Sequence, residues 1–415
     1  MNQINKLKIV NDPIYGFITI PNSLIYDLIQ HPYFQRLRRI SQMGLSYLVY
    51  PGAHHTRFHH ALGAMHIMQK AIQTLQTKGV EISKEEENAL LIAILLHDIG
   101  HGPFSHAMEH SIVEDVHHEE ISLLFMNQLN VEFEGQLSLA IQIFKGEYHR
   151  KFMYQLISSQ LDMDRMDYLK RDSFYSGVAE GNINSDRLIQ MMNVQDDFLV
   201  IEEKGIYSVE KFLVARRLMY WQTYLHKTSV VAEITLTKIL KRAKELTQKE
   251  IHLNCSQPLS YFLNNKVSLE NFDASILKTF AYLDDYDIMS ALKDWQFNSD
   301  FVLSSLCKMI LERDLLKIQI TDDKPQKERL LELKTKFLKW HPLPEKEVNY
   351  FIFKGKLKNL AYSKSDEPIR ILKKDKTIED VVIASDQLYL KALSKQVTKY
   401  FICYPKVLLD TEVFN

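Results

Sequence analysis

In the segment from Leu95 to His106, an apolar run ends in His97-Asp98, Gly100, Gly102 and Pro103 turn the chain, and His101 and His106 follow. Imidazole and carboxylate donors together suit borderline divalent ions such as Fe, Mn, Zn or Ni. Neighbouring helical positions point about 100° apart, so His97 and Asp98 can share one ion only near a helix end. An isolated His-Asp pair is ordinarily structural, and this pair gains its meaning from its company. Upstream lies His54-His55-Thr56-Arg57-Phe58-His59-His60, and downstream lies His117-His118-Glu119-Glu120. Later comes Leu161-Asp162-Met163-Asp164-Arg165-Met166-Asp167-Tyr168-Leu169-Lys170-Arg171-Asp172. Most of the 16 histidines fall between His54 and His118, a density that core packing does not explain. Histidine titrates near neutrality and ligates metals, while arginine holds phosphate oxygens bidentately. The chemistry such a set can perform is metal-assisted hydrolysis, with the ion activating water and histidines handling the proton of the leaving oxygen.

These residues need helices to hold them. Apolar residues recur at three- and four-residue spacings in Leu24–Ile29, Ala61–Leu75, Ala89–Leu96 and Glu210–Ala232, a helical period. Ser83 followed by Glu86 reads as a capping box for the third of these. Before them, residues 1 to about 20 alternate around the turn signal Asn11-Asp12-Pro13, the pattern of a short hairpin or an extended arm. Helical character continues to Trp340 and stops at His341-Pro342-Leu343-Pro344. Beyond it, Val348–Phe353, Ile369–Lys373, Val381–Ala384 and Lys399–Tyr404 read as strands. The expected architecture is mainly α. A helical catalytic domain spans residues 1 to 250, and a smaller mixed α/β region spans 251 to 415 and supplies oligomer contacts.

Composition narrows the function class. A net charge of -1 provides no global basic field and argues against nucleic acid as the main partner. Cys255, Cys307 and Cys403 are isolated and suit neither a disulfide framework nor a zinc knuckle. The start has no apolar signal core, and the most apolar run, Ala89 to Leu96, is far too short to cross a bilayer. The expectation is a cytoplasmic protein with reduced thiols and no membrane partner.

Taken in order, His60, His97-Asp98 and Asp164 resemble the H…HD…D pattern of the HD superfamily of metal-dependent phosphohydrolases. Phe34-Gln35-Arg36-Leu37-Arg38, Pro51-Gly52-Ala53, Thr56-Arg57-Phe58, His97–His106, Asp164–Asp172 and Tyr224-Leu225-His226-Lys227 narrow the resemblance to its deoxynucleoside triphosphate (dNTP) triphosphohydrolase branch. The resemblance implies a helical HD core. It implies a divalent ion (Fe, Mn, Zn, Ni or Mg) on His60, His97, Asp98 and Asp164, and a second Mg arriving with the nucleotide. It makes His101, His106 and His118 the catalytic histidines, with Glu109 and Glu119 behind them. Arg57, Arg165 and Arg216 become phosphate ligands; the family has lysine at the Arg165 position. Gln42, Tyr168 and Asp172 read the 3′-hydroxyl, Tyr224 crowds the 2′ position, and Met43 lies beside the nucleotide where the family has leucine. Alone, Tyr168 and Tyr224 would read as packing residues and Arg216 as part of a charged helix face. His54, His55, His59, His110 and His117 match no catalytic position and read as structural, and Met191-Met192 reads as core.

The same resemblance implies a homo-oligomer, with a tetramer as the expected state, and an activating nucleotide (GTP or a dNTP). Lys8, Ile9, Asn11, Gln35, Arg38 and Phe58 match the regulatory nucleotide site, as do Arg187, Lys204 and Lys227. Gln30 and Glu202 depart from it, and a carboxylate such as Glu202 repels triphosphate. The competing expectations are another HD phosphohydrolase, acting on a nucleoside monophosphate, a cyclic nucleotide or an alarmone, and a nucleotide sensor with vestigial chemistry.

Overall fold

The structure, a computed structural model, describes residues 8–104, 107–108, 111, 116–363, 367–387 and 389–409. The chain opens with an antiparallel hairpin, Lys8–Asp12 against Gly16–Ile20. Asp12 closes its turn by accepting the backbone N–H groups of Ile14 and Tyr15 at 2.9 and 3.0 Å. Gly16 follows with φ +74°, a left-handed conformation that suits glycine.

Three helices form the centre. Arg57–Thr77 packs between Lys84–Leu96 and Met163–Ser176. In Lys84–Leu96 every residue from Ala89 to Leu96 is buried, which explains why its apolar pattern is continuous rather than one-sided. Its start carries the expected capping box: Glu86 N–H donates to Ser83 Oγ at 3.1 Å, and Ser83 N–H donates to Glu86 Oε2 at 2.8 Å. Asp162 caps Met163–Ser176, which ends at the left-handed Gly177. Gly63 lets this helix lie close to Arg57–Thr77, because a Cβ there would run into the side chains of Asp167 and Arg171.

The region read as one helix from Glu210 to Ala232 is interrupted. Helix Ile206–Met219 passes into a π-turn, Tyr220–Tyr224, and a new helix, Lys227–Thr247, starts with His226 Nδ1 accepting from Thr228 N–H. Such π-turns widen a helix by one residue and often mark functional sites.

The C-terminal region is mixed α/β. Helix Lys327–Trp340 stops at His341 as the Pro-rich signal requires. A three-stranded antiparallel sheet follows the order Lys317–Thr321, Val397–Tyr404, Phe353–Asn359. A second sheet joins the hairpin Met192–Gln195 and Phe198–Glu202 to Arg370–Leu372 in parallel and then to Ile378–Asp380. Two expected strands are helical instead. Glu345–Phe351 is a helix with the strand beginning only at Phe353. Val381–Ala384 is one helical turn, because Asp380 caps it through Val382 N–H at 2.8 Å while Val381 and Val382 turn into the core. Among the described residues no helix is long and apolar enough to cross a membrane.

Candidate active site

Each of the three central helices delivers a donor from an end. His60 lies in the first turn of Arg57–Thr77, His97 caps the C-terminus of Lys84–Leu96, and Asp164 lies in the first turn of Met163–Ser176. Their donor atoms lie within 4.8 Å of one another. His60 Nε2 is 3.3 Å from His97 Nε2 and 3.1 Å from Asp164 Oδ1. Each imidazole is already engaged at its other nitrogen: His60 Nδ1 meets Asp167 at 2.7 Å, and His97 Nδ1 meets the Ile94 carbonyl at 2.7 Å. With Nδ1–H donating in both rings, two Nε2 lone pairs face each other across 3.3 Å. That arrangement is repulsive unless a cation or a proton lies between them, so the donor set fits a metal ion. The same geometry shows in the proton affinities. Burial opposes charge on His60, but the hydrogen bonds to Asp164 and Asp167 outweigh it and raise its pKa to about 10. Asp164, buried against the same imidazoles, is held far below the usual carboxylate range by His60 and His97.

Behind His60 runs a buried chain of charges. Asp167 takes Arg171 bidentately at 2.9 and 3.0 Å, and Arg171 reaches Asp12 in the hairpin at 2.7 Å. Asp167 and Arg171 are missing from the site residues read in the sequence. Their i,i+4 spacing, with Asp167 one turn after Asp164, is the signal that could have found them.

Asp98 sits at the junction of this centre and a second cluster. It lies 3.4 Å from His97 Nε2, 3.7 Å from His60 Nε2 and 3.2 Å from His101 Nε2, and accepts from Arg57 Nη1 at 2.6 Å. The donor atoms of Asp98, His101 and His118 also lie within 4.8 Å of one another, and the rings of His101 and His118 stack at 3.8 Å. Burial and the Arg57 charge push the His101 imidazole well below its usual pKa, so it stays neutral. Glu119, next to His118 in the chain, is exposed. His106 and Glu109 lie outside the described residues.

A cavity of about 340 Å³ opens beside the centre at Arg57. Gln42, Met43, Arg57, Tyr168, Asp172 and Tyr224 line it, joined by Phe104, Tyr220, Leu225 and Glu233. The π-turn aims Tyr224 at Asp172, whose Oδ2 accepts from the phenol at 2.7 Å. Oδ1 of Asp172 is held by His55 at 2.6 Å, and His55 stacks on Tyr175 at 4.4 Å. His55 and His59 therefore act as supports: His59 Nδ1 receives Thr56 N–H at the start of the His60 helix. The Tyr168 and Tyr224 rings meet edge to face at 6.2 Å. Among the described residues, the buried Nε atoms of Arg57, Arg165 and Arg216, together with Nη1 of Arg216 and Oε1 of Gln42, have no hydrogen-bond partner. Buried donors without partners are costly, and these guanidinium groups, with Arg165 and Arg216 both near enough to act on the cavity-lining Tyr168, fit an anion. Arg165 also pairs with the buried Asp162, the cap of its own helix. The pocket wall at Phe104 is held from afar. Asp285 accepts Ser41 N–H at 2.8 Å and Phe104 N–H at 3.1 Å, and Phe104 adopts φ +44°, rare for a residue with a side chain.

The residues expected to bind a regulatory nucleotide form separate groups. Arg38 lies 3.6 Å over the Phe58 ring and bonds Gln35 at 2.8 Å, while Lys8 covers Tyr26 in the exposed hairpin that also carries Ile9 and Asn11. Arg187 bonds the Lys204 carbonyl at 3.2 Å, and Lys204 and Lys78 both pair with Glu202. Lys227 is exposed at the start of its helix. Among the described residues no hydrogen bond or ion pair joins these groups.

Three helix ends converging on His60, His97, Asp98 and Asp164 define the class. Residues 57–172 match the HD domain and residues 183–256 match the HD associated region. The chain belongs to the HD-domain family of phosphohydrolases. It is 35% identical to the uncharacterized protein YwfO of Bacillus subtilis over 324 residues, which span 76% of this chain and 72% of YwfO. The crystal structure of a phosphohydrolase from Bacteroides thetaiotaomicron has a TM-score of 0.93 at 51% identity, covering 96% of this chain and 100% of that one. A deoxynucleoside triphosphate triphosphohydrolase SAMHD1 homolog of Dictyostelium discoideum is 31% identical over 61% of this chain, and the match spans 54% of that protein.

Proposed function

We propose that this phosphohydrolase cleaves dNTPs to a deoxynucleoside and inorganic triphosphate. The observation that carries the reading is one cavity in which a sugar-sized polar cluster, Tyr168, Asp172 and Tyr224, adjoins the metal centre through Arg57. The similarity to a dNTP triphosphohydrolase homolog supports it.

His60, His97, Asp98 and Asp164 would hold a divalent ion. When bound, such an ion supplies Lewis acidity, lowering the pKa of water and offsetting phosphate charge. Arg57, Arg165 and Arg216 neutralise the phosphate chain with the donors left unpaired, and by family resemblance a second Mg would arrive with the nucleotide and offset further phosphate charge. His101 is neutral and hydrogen-bonded to Asp98, ready to orient water towards the α-phosphorus. Attack there forms a new P–O bond and breaks the bond to O5′. The proton that O5′ needs comes from a histidine, and by family resemblance we assign it to His106, with His118 beside His101. Asp172 accepts from the 3′-hydroxyl, and the Tyr224 ring leaves no space at the 2′ position.

We further read the active form as a cytoplasmic homotetramer, with GTP or a dNTP at the sites around Lys8, Gln35, Arg38 and Phe58 and around Arg187, Lys204 and Lys227. The test is a panel of deoxy- and ribonucleotides, cyclic nucleotides and monophosphates, incubated with chelated protein after each divalent metal is added back. Inorganic triphosphate from dNTPs is the expected product. Orthophosphate from monophosphates, or activity confined to cyclic nucleotides, would replace this reading.

A further inference from the structure

Helix Lys227–Thr247 contributes one more residue to the cavity. Glu233 lines it together with Gln42, Met43 and Leu225. Among the described residues its carboxyl group has no hydrogen-bond donor and no cation beside it, and burial pushes its pKa up to about 7. Gly44 stands opposite with φ +51°; a Cβ there would sit 3.3 Å from Glu233 Oε1. No side chain at Gly44 therefore covers the carboxyl. An acidic group left without a partner in a cavity wall is costly, and a ligand donor relieves that cost.

Charge decides which part of a nucleotide it meets. A carboxylate beside the triphosphate would repel it, and the arginines already serve that end. The sugar hydroxyl has Asp172, fixed by His55 and Tyr224. The nucleobase remains. Guanine presents two adjacent donors on one edge, N1–H and the 2-amino group, and these match the two oxygens of one carboxylate in a bidentate pair. Adenine and cytosine place an acceptor nitrogen next to their amino group, and thymine sets a single N–H between two carbonyls. We propose that Glu233 selects the base in this cavity and that it selects guanine. The inference rests on reading the cavity as a nucleotide site.

Two measurements test it. In the first, the metal-loaded protein hydrolyses dGTP, dATP, dCTP and dTTP in separate reactions. A charged hydrogen-bond pair contributes enough to favour dGTP over dATP in kcat/KM by about tenfold, and Glu233→Gln should lose about that factor on dGTP while changing dTTP less than about twofold. In the second, calorimetry follows deoxyguanosine and deoxyadenosine binding to the wild-type protein, with no turnover required. Tighter binding of deoxyguanosine is expected. An unchanged base ranking in Glu233→Gln, or equal binding of the two nucleosides, overturns the assignment even if dNTPs are hydrolysed. Selective deoxyguanosine binding without hydrolysis of any dNTP supports the base site and rejects the reaction.

Discussion

At the scale of single residues, the centre is a set of groups each useless without the next. His60 and His97 hold their lone pairs together only because Asp167 and the Ile94 carbonyl occupy their other nitrogens. His60→Ala should therefore lose the ion, read as metal content per chain after dialysis, and activity with it. A variant that retains full metal content would show that His60 is not a ligand. Asp167→Asn tests the support separately: the ligands remain, and metal affinity should fall about 10- to 100-fold, the usual effect of removing a partner behind a ligand. Tyr224 carries the sugar prediction. A buried hydroxyl without a partner costs about 1–3 kcal/mol, roughly 5- to 150-fold, so Tyr224→Ala should narrow the ratio of dGTP to GTP hydrolysis. A ratio unmoved by that change would assign the sugar choice elsewhere.

Elements differ in how much of themselves they announce. The Lys84–Leu96 helix was legible because its cap, Ser83 with Glu86, and its apolar run are adjacent in sequence. The candidate metal ligands came instead from the resemblance to the H…HD…D pattern, and His60, His97 and Asp164 each lie at a helix end. Val381–Ala384 was misread because β-branched residues suit both a strand and a short buried turn, and Asp380 decides between them. The π-turn at Tyr220–Tyr224 left no periodic trace either, since one extra residue in a helix does not alter composition. The capping box also gives a pH prediction. Burial raises the Glu86 pKa, but Ser83 N–H, Arg150 and Tyr148 outweigh it and hold it below its ordinary 4.5. A carboxyl depressed on folding adds stability above its unfolded pKa and loses it as pH falls through the folded one. Glu86→Gln should therefore lower the melting temperature at pH 7, and the gap should close below about pH 4. A gap of constant size across that range would mean that the charge of Glu86 contributes nothing.

Over the whole molecule, the pocket depends on residues far apart in the chain. Asp285 holds Ser41 and Phe104 from 244 and 181 residues away, and Glu233 enters the cavity from a helix that shows only an ordinary amphipathic pattern. Contacts of such separation leave no local spacing to read, which is why both residues escaped the sequence. Asp285→Ala should free Phe104 from its left-handed conformation and reduce turnover while leaving the metal content unchanged; equal loss of both would place Asp285 in the stability of the core instead. The central claim, however, concerns which bond breaks. Hydrolysis of dGTP by the metal-loaded protein in ¹⁸O-labelled water, followed by mass spectrometry, addresses it directly. Attack at the α-phosphorus predicts one ¹⁸O in inorganic triphosphate and none in deoxyguanosine. Pyrophosphate with dGMP, orthophosphate with dGDP, or label in the 5′-hydroxyl of deoxyguanosine would contradict it.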